Sequence, residues 1–416
     1  DLQGPRIRIG ADLPKKGIML TEGHIVRVGY GKYKKGFIPI DYKGIIKDIK
    51  KGTQLLLVDG LIELVITKIH RSYAEARVVT GGVIFPRKGG NVPNARLKIS
   101  SLTEKDKRDL VWGIDHAVDY IALSFVRPAQ DIKELKQLIY TRNKNSSIKI
   151  IAKIEMREAV THIDSILREV DGIMVARGDL GIELPPEDVP VVQKKIILKA
   201  IEQGKPVITA TQMMESMMEN QRPTRAEVSD VANAILDGTD AIMLSGETAM
   251  GKYPVQVVTM MRKIANKIER EVFEYHHLGL ETFTEYDIER MRASGHVTHT
   301  NTIGASVDSI ASEIHARYIT VATISGYAAR MVSRDRPGTP ILAFSPDTTV
   351  VNQLALVWGV RSLYLPLSDT LDELITRIVG LIREHRFAKK SDTVIVMASH
   401  PLGSKSESNF VKIQKI

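Results

Sequence analysis

The chain has 416 residues, enough for roughly two to four domains, and 43% of them are hydrophobic, so packed cores are expected. It carries no cysteine, which excludes disulfides and thiolate metal centres and suits a cytoplasmic location. No run approaches the roughly 18 apolar residues of a membrane span, and the net charge of +9 comes without an aromatic-interleaved basic stripe, so neither a membrane nor a nucleic acid is expected as partner and the surplus cations favour phosphates.

Asp1 opens the chain inside an extended segment, Asp1–Ile9, with no Met before it. Residues 5–95 read as a small all-β domain. The firmest signal is a hairpin, Thr53–Val58 and Leu61–Ile66, joined by Asp59-Gly60, a pair that accepts the positive φ of a tight turn. From 96 to 271 strands and helices alternate. The strands are Val118–Phe125, Ile148–Glu155, Gly172–Gly178, Pro206–Thr211 and Asp240–Ser245. Thr224 and Glu227 form a capping box, and Gly238 stands at the expected helix C-terminus. Such alternation implies a parallel sheet with helical crossovers. With Asp1–Ile9 as a sixth strand, an eight-stranded (β/α)8 barrel lacks two, and the β domain is an insertion. Residues 272–416 read as a further α/β domain, with strands at Tyr318–Ala322, Thr339–Phe344, Arg361–Leu365, Thr393–Ala398 and Phe410–Ile416. The expected division is therefore 1–4 with 96–271 (barrel), 5–95 (β lid) and 272–416 (C-terminal domain). Trp112 and Trp358 are expected to pack in or beside the core.

The chemistry-bearing residues cluster at strand C-termini, where barrel active sites are built. Ile150-Ile-Ala-Lys-Ile-Glu155 is an apolar run ending in charge, and Lys153 and Glu155, two apart in a strand, project together. Asp179 follows the next strand, and Thr211 and Ser245 the two after it. Two carboxylates suit Mg²⁺, which takes hard oxygen ligands and leaves places for substrate phosphate. A lysine beside them can stabilise charge on a phosphoryl group in flight. Arg8 and Lys88, flanking the β insertion, would reach nucleotide phosphates if that domain closes as a lid. The plainer alternatives are a buried ion pair for Lys153 and Glu155, helix caps for Thr211 and Ser245, and a structural role for Ser124.

Longer motifs make the resemblance specific. Ile151-Ala-Lys-Ile-Glu155, Val175-Ala-Arg-Gly-Asp-Leu-Gly-Ile-Glu183, Thr209-Ala-Thr-Gln-Met213, Arg222-Pro-Thr-Arg-Ala-Glu227 and Met243-Leu-Ser-Gly-Glu-Thr-Ala249 resemble pyruvate kinase, as do Gly4-Pro-Arg-Ile-Arg8 and Lys88-Gly-Gly-Asn-Val-Pro93. The resemblance implies transfer of phosphate from phosphoenolpyruvate to ADP, giving pyruvate and ATP, with Mg²⁺ or Mn²⁺. It implies Lys153 as the transition-state lysine and Glu155 and Asp179 as metal ligands. Ala176, Arg177, Gly178, Asp179 and Thr211 become substrate contacts, with Thr211 and Ser245 near the proton delivered to the enolate. Arg8 and Lys88 become nucleotide contacts, and Asp1 the acid of a monovalent-cation site.

Three departures bear on these expectations. The family's Arg-x-Asn-x-Ser element is not found, which leaves an N-terminally incomplete, catalytically silent assembly subunit as the alternative to an enzyme. Leu2, Gln3 and Arg6 resemble the potassium-independent pattern, so K⁺ is expected to be dispensable. In the C-terminal domain Thr323, Ser325 and Gly326, with Ser404 and Lys405, match the place of a phosphorylated effector, a sugar phosphate or nucleotide, although Ala328 stands where a hydroxyl is common. The family also implies a homotetramer. The runner-up enzyme is another Mg²⁺-dependent barrel acting on phosphoenolpyruvate or a 2-oxo acid, which would need no nucleotide contacts.

Overall fold

The computed structural model describes residues 1–93, 95, 97–277, 299–403 and 408–416, in two compact units: Asp1–Val170 with Met174–Ile196, and Asp171–Ile173 with Ile197–Ile416.

In the first unit the β-rich stretch forms β1 (Ile18–Leu20), β2 (Ile25–Gly29), β3 (Phe37–Pro39), β4 (Gln54–Leu57), β5 (Ile62–Ile69), β6 (Ala74–Thr80), β7 (Gly82–Ile84) and β8 (Gly90–Asn91). Six of them make one sheet in the order β3-β2-β6-β5-β4-β8, and β1 pairs with β7. Alternate residues of β5 and β6 turn inward, so Leu64, Ile66, Ala76 and Val78 pack with Leu57 and Ile84 in one core. The hairpin forms as read, with Leu57 opposite Ile62, but Val58 joins Asp59 and Gly60 at positive φ (54°, 55° and 87°). A one-turn helix, Ile45–Asp48, interrupts a region that the sequence reads as purely β. It is held by Asp48, which accepts from the Tyr42 hydroxyl and from the Lys98 amide.

The same unit holds β9 (Tyr120–Leu123), β10 (Lys149–Ile154) and most of β11 (Gly172–Ala176), with β10 between the other two. Tyr120 lies opposite Lys149 in parallel register. Leu2 bridges Leu123 in parallel and its amide donates to the Ala122 carbonyl (2.8 Å), so the opening segment runs along β9. β11 is buried at every residue, as a parallel strand covered on both faces must be. One expectation fails here. Trp112 is 60% exposed, stacked on His116, because the helix Glu104–Asp115 turns Leu110, Gly113 and Ile114 inward and residue 112 falls on the opposite face.

In the second unit β12 (Val207–Ala210) pairs in parallel with β13 (Ala241–Met243). The Thr224/Glu227 capping box is present in both directions, and Gly238 (φ 90°) follows the end of that helix, Arg225–Leu236. A second sheet contains β14 (Tyr318–Ala322), β15 (Ile341–Ser345), β16 (Val360–Tyr364), β17 (Thr393–Ala398) and β18 (Phe410–Lys415) in the order β16-β15-β14-β17-β18. Only β18 is antiparallel. Cores cover both of its faces, one around Val321 and Ile395, the other around Phe344 and Ile378. Among the described residues no helix is long and apolar enough to cross a membrane.

Candidate active site

The polar cluster sits where β9, β10 and β11 end. Lys153 and Glu155 do project together: the Lys153 ammonium lies 2.9 Å from Glu155 Oε1. Lys153 also donates to Ser124 Oγ (2.9 Å) and lies 3.5 Å from Asp1 Oδ2. Ser124 is thus more than filler, since its hydroxyl also donates to Asp1 Oδ1 (3.4 Å).

Glu155 is 1% exposed and its second oxygen accepts from the Phe125 amide (2.7 Å). Phe125 holds a positive φ of 54°, a left-handed conformation that a bulky residue adopts only when its surroundings impose it. Gly4 makes room for that bend. A Cβ there would stand 2.8 Å from the Phe125 ring, and Gly4 itself has φ 69°. The sequence gives Gly4 as part of a motif but offers no sign of Phe125's bend. Burial raises the Glu155 pKa above the ordinary carboxylate value, the Asp179 charge adds to that, and Lys153 and the Phe125 amide oppose it.

Asp179 lies in the short helix Arg177–Glu183, which begins immediately after β11; the sequence reads the strand as running on to Gly178. Ala176 turns the chain with ψ 84°, and Arg177 is buried. The Asp179 carboxylate is 21% exposed and lies 3.6 Å from the Arg6 guanidinium, which also meets Asp59 at 3.2 Å. Arg6 therefore directs its charge to Asp179, whereas the sequence places it beside a cation site at Asp1. Arg8 and Lys88 come together through the backbone: Arg8 bridges Gly89 and the Ile9 amide donates to the Lys88 carbonyl. The Arg8 guanidinium donates to the Arg87 carbonyl (3.1 Å), and Lys88 is exposed.

In the second unit neither Thr211 nor Ser245 serves as a helix cap through its side chain. Thr211 has φ 64°, and its hydroxyl donates to the Ala210 carbonyl (2.7 Å). Ser245 stands before the helix Gly246–Ala249 without a capping side-chain bond. The loops bearing the two are tied by Glu247, 3% exposed, which accepts from the Met214 and Ser245 amides (3.2 and 2.9 Å). Glu247 is an organiser that its place in the motif names without explaining. Further along the chain Thr323 Oγ1 accepts from the Gly326 amide (3.1 Å), Ser325 Oγ accepts from the Tyr327 amide (3.4 Å), and Gly326 has φ 75° at the head of the helix Tyr327–Arg334. Ser404 and Lys405 lie outside the described residues.

Paired carboxylates with a lysine at strand ends form a donor set for a divalent cation and a phosphorylated substrate. Comparison with known proteins shows the family. The family model for the pyruvate kinase barrel domain matches residues 1–258, and that for the pyruvate kinase alpha/beta domain matches residues 301–414. Pyruvate kinase 2 of Synechocystis sp. is 41% identical, covering 100% of this chain and 68% of the relative. Pyruvate kinase of Clostridium acetobutylicum is 39% identical, covering 100% of this chain and 86% of the relative. The crystal structure of a pyruvate kinase from Cryptosporidium parvum superposes with a TM-score of 0.88 at 33% identity, over 100% of this chain and 83% of that one. The chain, with its barrel and α/β domains, belongs to the pyruvate kinase family.

Proposed function

We propose that the cluster at the ends of β9, β10 and β11 is the phosphoryl-transfer centre. The observation that carries this reading is Glu155, a buried carboxylate whose charged form is disfavoured by burial and by Asp179, in direct contact with Lys153. As a pyruvate kinase the chain transfers the phosphoryl group of phosphoenolpyruvate to ADP, giving pyruvate and ATP in glycolysis, with Mg²⁺ or Mn²⁺ as cofactor. Two neighbouring carboxylates that repel each other fit such a cation, and Mg²⁺ usually takes only one or two protein carboxylates. Glu155 and Asp179 would hold it. When bound, it neutralises charge on the phosphoryl oxygens.

In this reading Lys153 stabilises the group in flight, where a fixed cation in a water-poor site does most of the work. Ser124 and Glu155 hold its ammonium in place. Ala176, Arg177, Gly178, Asp179 and Thr211 contact phosphoenolpyruvate, and Thr211 with Ser245 stands near the proton delivered to the enolate carbon. Arg8 and Lys88 hold the nucleotide phosphates. Asp1 belongs to the monovalent-cation site, and added K⁺ is dispensable, as the pattern of Leu2, Gln3 and Arg6 implies.

The wider reading keeps the division into 1–4 with 96–271, 5–95 and 272–416. It adds a homotetramer in the cytoplasm and a phosphorylated effector at Thr323, Ser325, Gly326, Ser404 and Lys405. Glycine at φ 75° before a helix, with the Thr323 and Ser325 hydroxyls just ahead of it, supports a phosphate there.

An Mg²⁺ titration of the initial rate tests the centre. Glu155→Gln is expected to need at least about tenfold more Mg²⁺ for half-maximal rate; an unchanged Mg²⁺ requirement would remove Glu155 from the metal site. Assays with KCl at constant ionic strength, and with a panel of sugar phosphates and nucleotides, test the other two proposals. A large KCl stimulation would sink K⁺ independence, and a flat response across the panel would sink the effector.

A further inference from the structure

Beside the barrel-end cluster, lined by Arg6, Phe125 and Met156 among others, the first unit holds a half-open cavity of about 320 Å³. That volume matches a small organic ligand. Its walls come from both crossings between the six-stranded sheet and the barrel strands, Ile7 on one and Val92 and Ile99 on the other, closed by Phe125 and Met156. The apolar lining would take a flat hydrocarbon body.

The polar groups around it are lopsided. Arg127 and Arg157 line the cavity, and among the described residues neither makes an ion pair. Arg127 donates to the Leu97 and Ile99 carbonyls, and Arg157 to the Glu183 carbonyl (3.1 Å). Two carboxyls share the lining, Glu158 and Glu183. Glu183 is 4% exposed, and among the described residues its carboxylate is bonded only by a long 3.5 Å contact from the Asn91 side chain. Burial pushes its pKa up to about 7, so near neutrality it is a weak counter-charge for the guanidinium groups. The third arginine, Arg6, is already committed to Asp59 and Asp179.

We infer that this cavity is a binding site for a small amphipathic carboxylate, an aromatic or branched acid whose hydrocarbon part fills the apolar walls and whose carboxylate meets Arg157. A guanidinium pairs with a carboxylate through two parallel hydrogen bonds, a geometry that carbonyl partners leave open. The site adjoins the phosphoryl-transfer cluster through Arg6, Phe125 and Met156, but its lining includes none of the residues assigned to phosphoryl transfer, and it does not depend on their roles.

The test is calorimetric titration of the full chain with sodium 2-naphthoate and with the neutral isostere 2-naphthamide. The acid is expected to bind with a dissociation constant below about 1 mM and the amide at least about tenfold more weakly. Arg157→Gln, at an exposed position, should weaken the acid by about tenfold. Ile99→Trp should block both ligands by filling the cavity. Saturating phosphoenolpyruvate should leave naphthoate binding unchanged. Equal binding of acid and amide, an unchanged affinity in Arg157→Gln, displacement by phosphoenolpyruvate, or no binding would each overturn the inference.

Discussion

At the scale of single residues the decisive property is carboxylate burial. Glu155 tolerates it because Lys153 and the Phe125 amide face it. Glu183 has weaker partners, a long contact from Asn91 and the charge of Arg157, and its raised pKa sets a stability signature. Its proton is held more tightly in the folded state than in the unfolded one, so stability falls as pH rises from the ordinary carboxylate range to about 7 and is flat above. The shift from 4.5 to about 7 corresponds to roughly 3 kcal/mol at most. Thermal melts from pH 5 to 8 check this: Glu183→Gln should gain stability over the parent as pH rises. A difference that is constant with pH would mean that Glu183 keeps an ordinary pKa. Much at this scale was legible in the sequence. Lys153, Glu155 and Asp179 stand out because apolar runs rarely end in charge without cause. Ser124, the partner that holds Lys153, was not, because a serine after a strand carries no signal of what it will touch.

At the scale of elements the site depends on bends at strand ends. Phe125, Thr211 and Gln212 all take positive φ where the chain leaves its strand. Such bends follow from close packing around them, not from local propensity, which is why the sequence extended β11 to Gly178 and left helix capping open as the plainer alternative for Thr211. Regular features were readable: the Thr224/Glu227 box and the Gly238 stop are local chemistry. Gly4→Ala tests the bend at Phe125. The added methyl meets the ring at 2.8 Å and must adopt φ 69°, a strain of about 1–3 kcal/mol. The expected outcome is a lower melting temperature together with a lower kcat, because the Phe125 amide moves off Glu155. A variant with parental stability and rate would show that the close approach of Gly4 does not matter.

At the scale of the whole molecule, alternation of strand and helix marked the barrel strands and the C-terminal α/β sheet, and the run of short β segments marked the insertion. What pattern cannot supply is facing: Trp112 was placed in or beside a core because tryptophan usually is, and the helix turned it to solvent. The assignment to the pyruvate kinase family rests on the full chain, whereas the roles of individual residues rest on the geometry at the ends of β9 to β11. The most direct test joins the two. Pyruvate formation from phosphoenolpyruvate and ADP should require Mg²⁺, and Lys153→Met, with an unchanged circular dichroism spectrum, should lower kcat by at least about 10²-fold. A folded Lys153→Met protein with parental kcat would contradict the account.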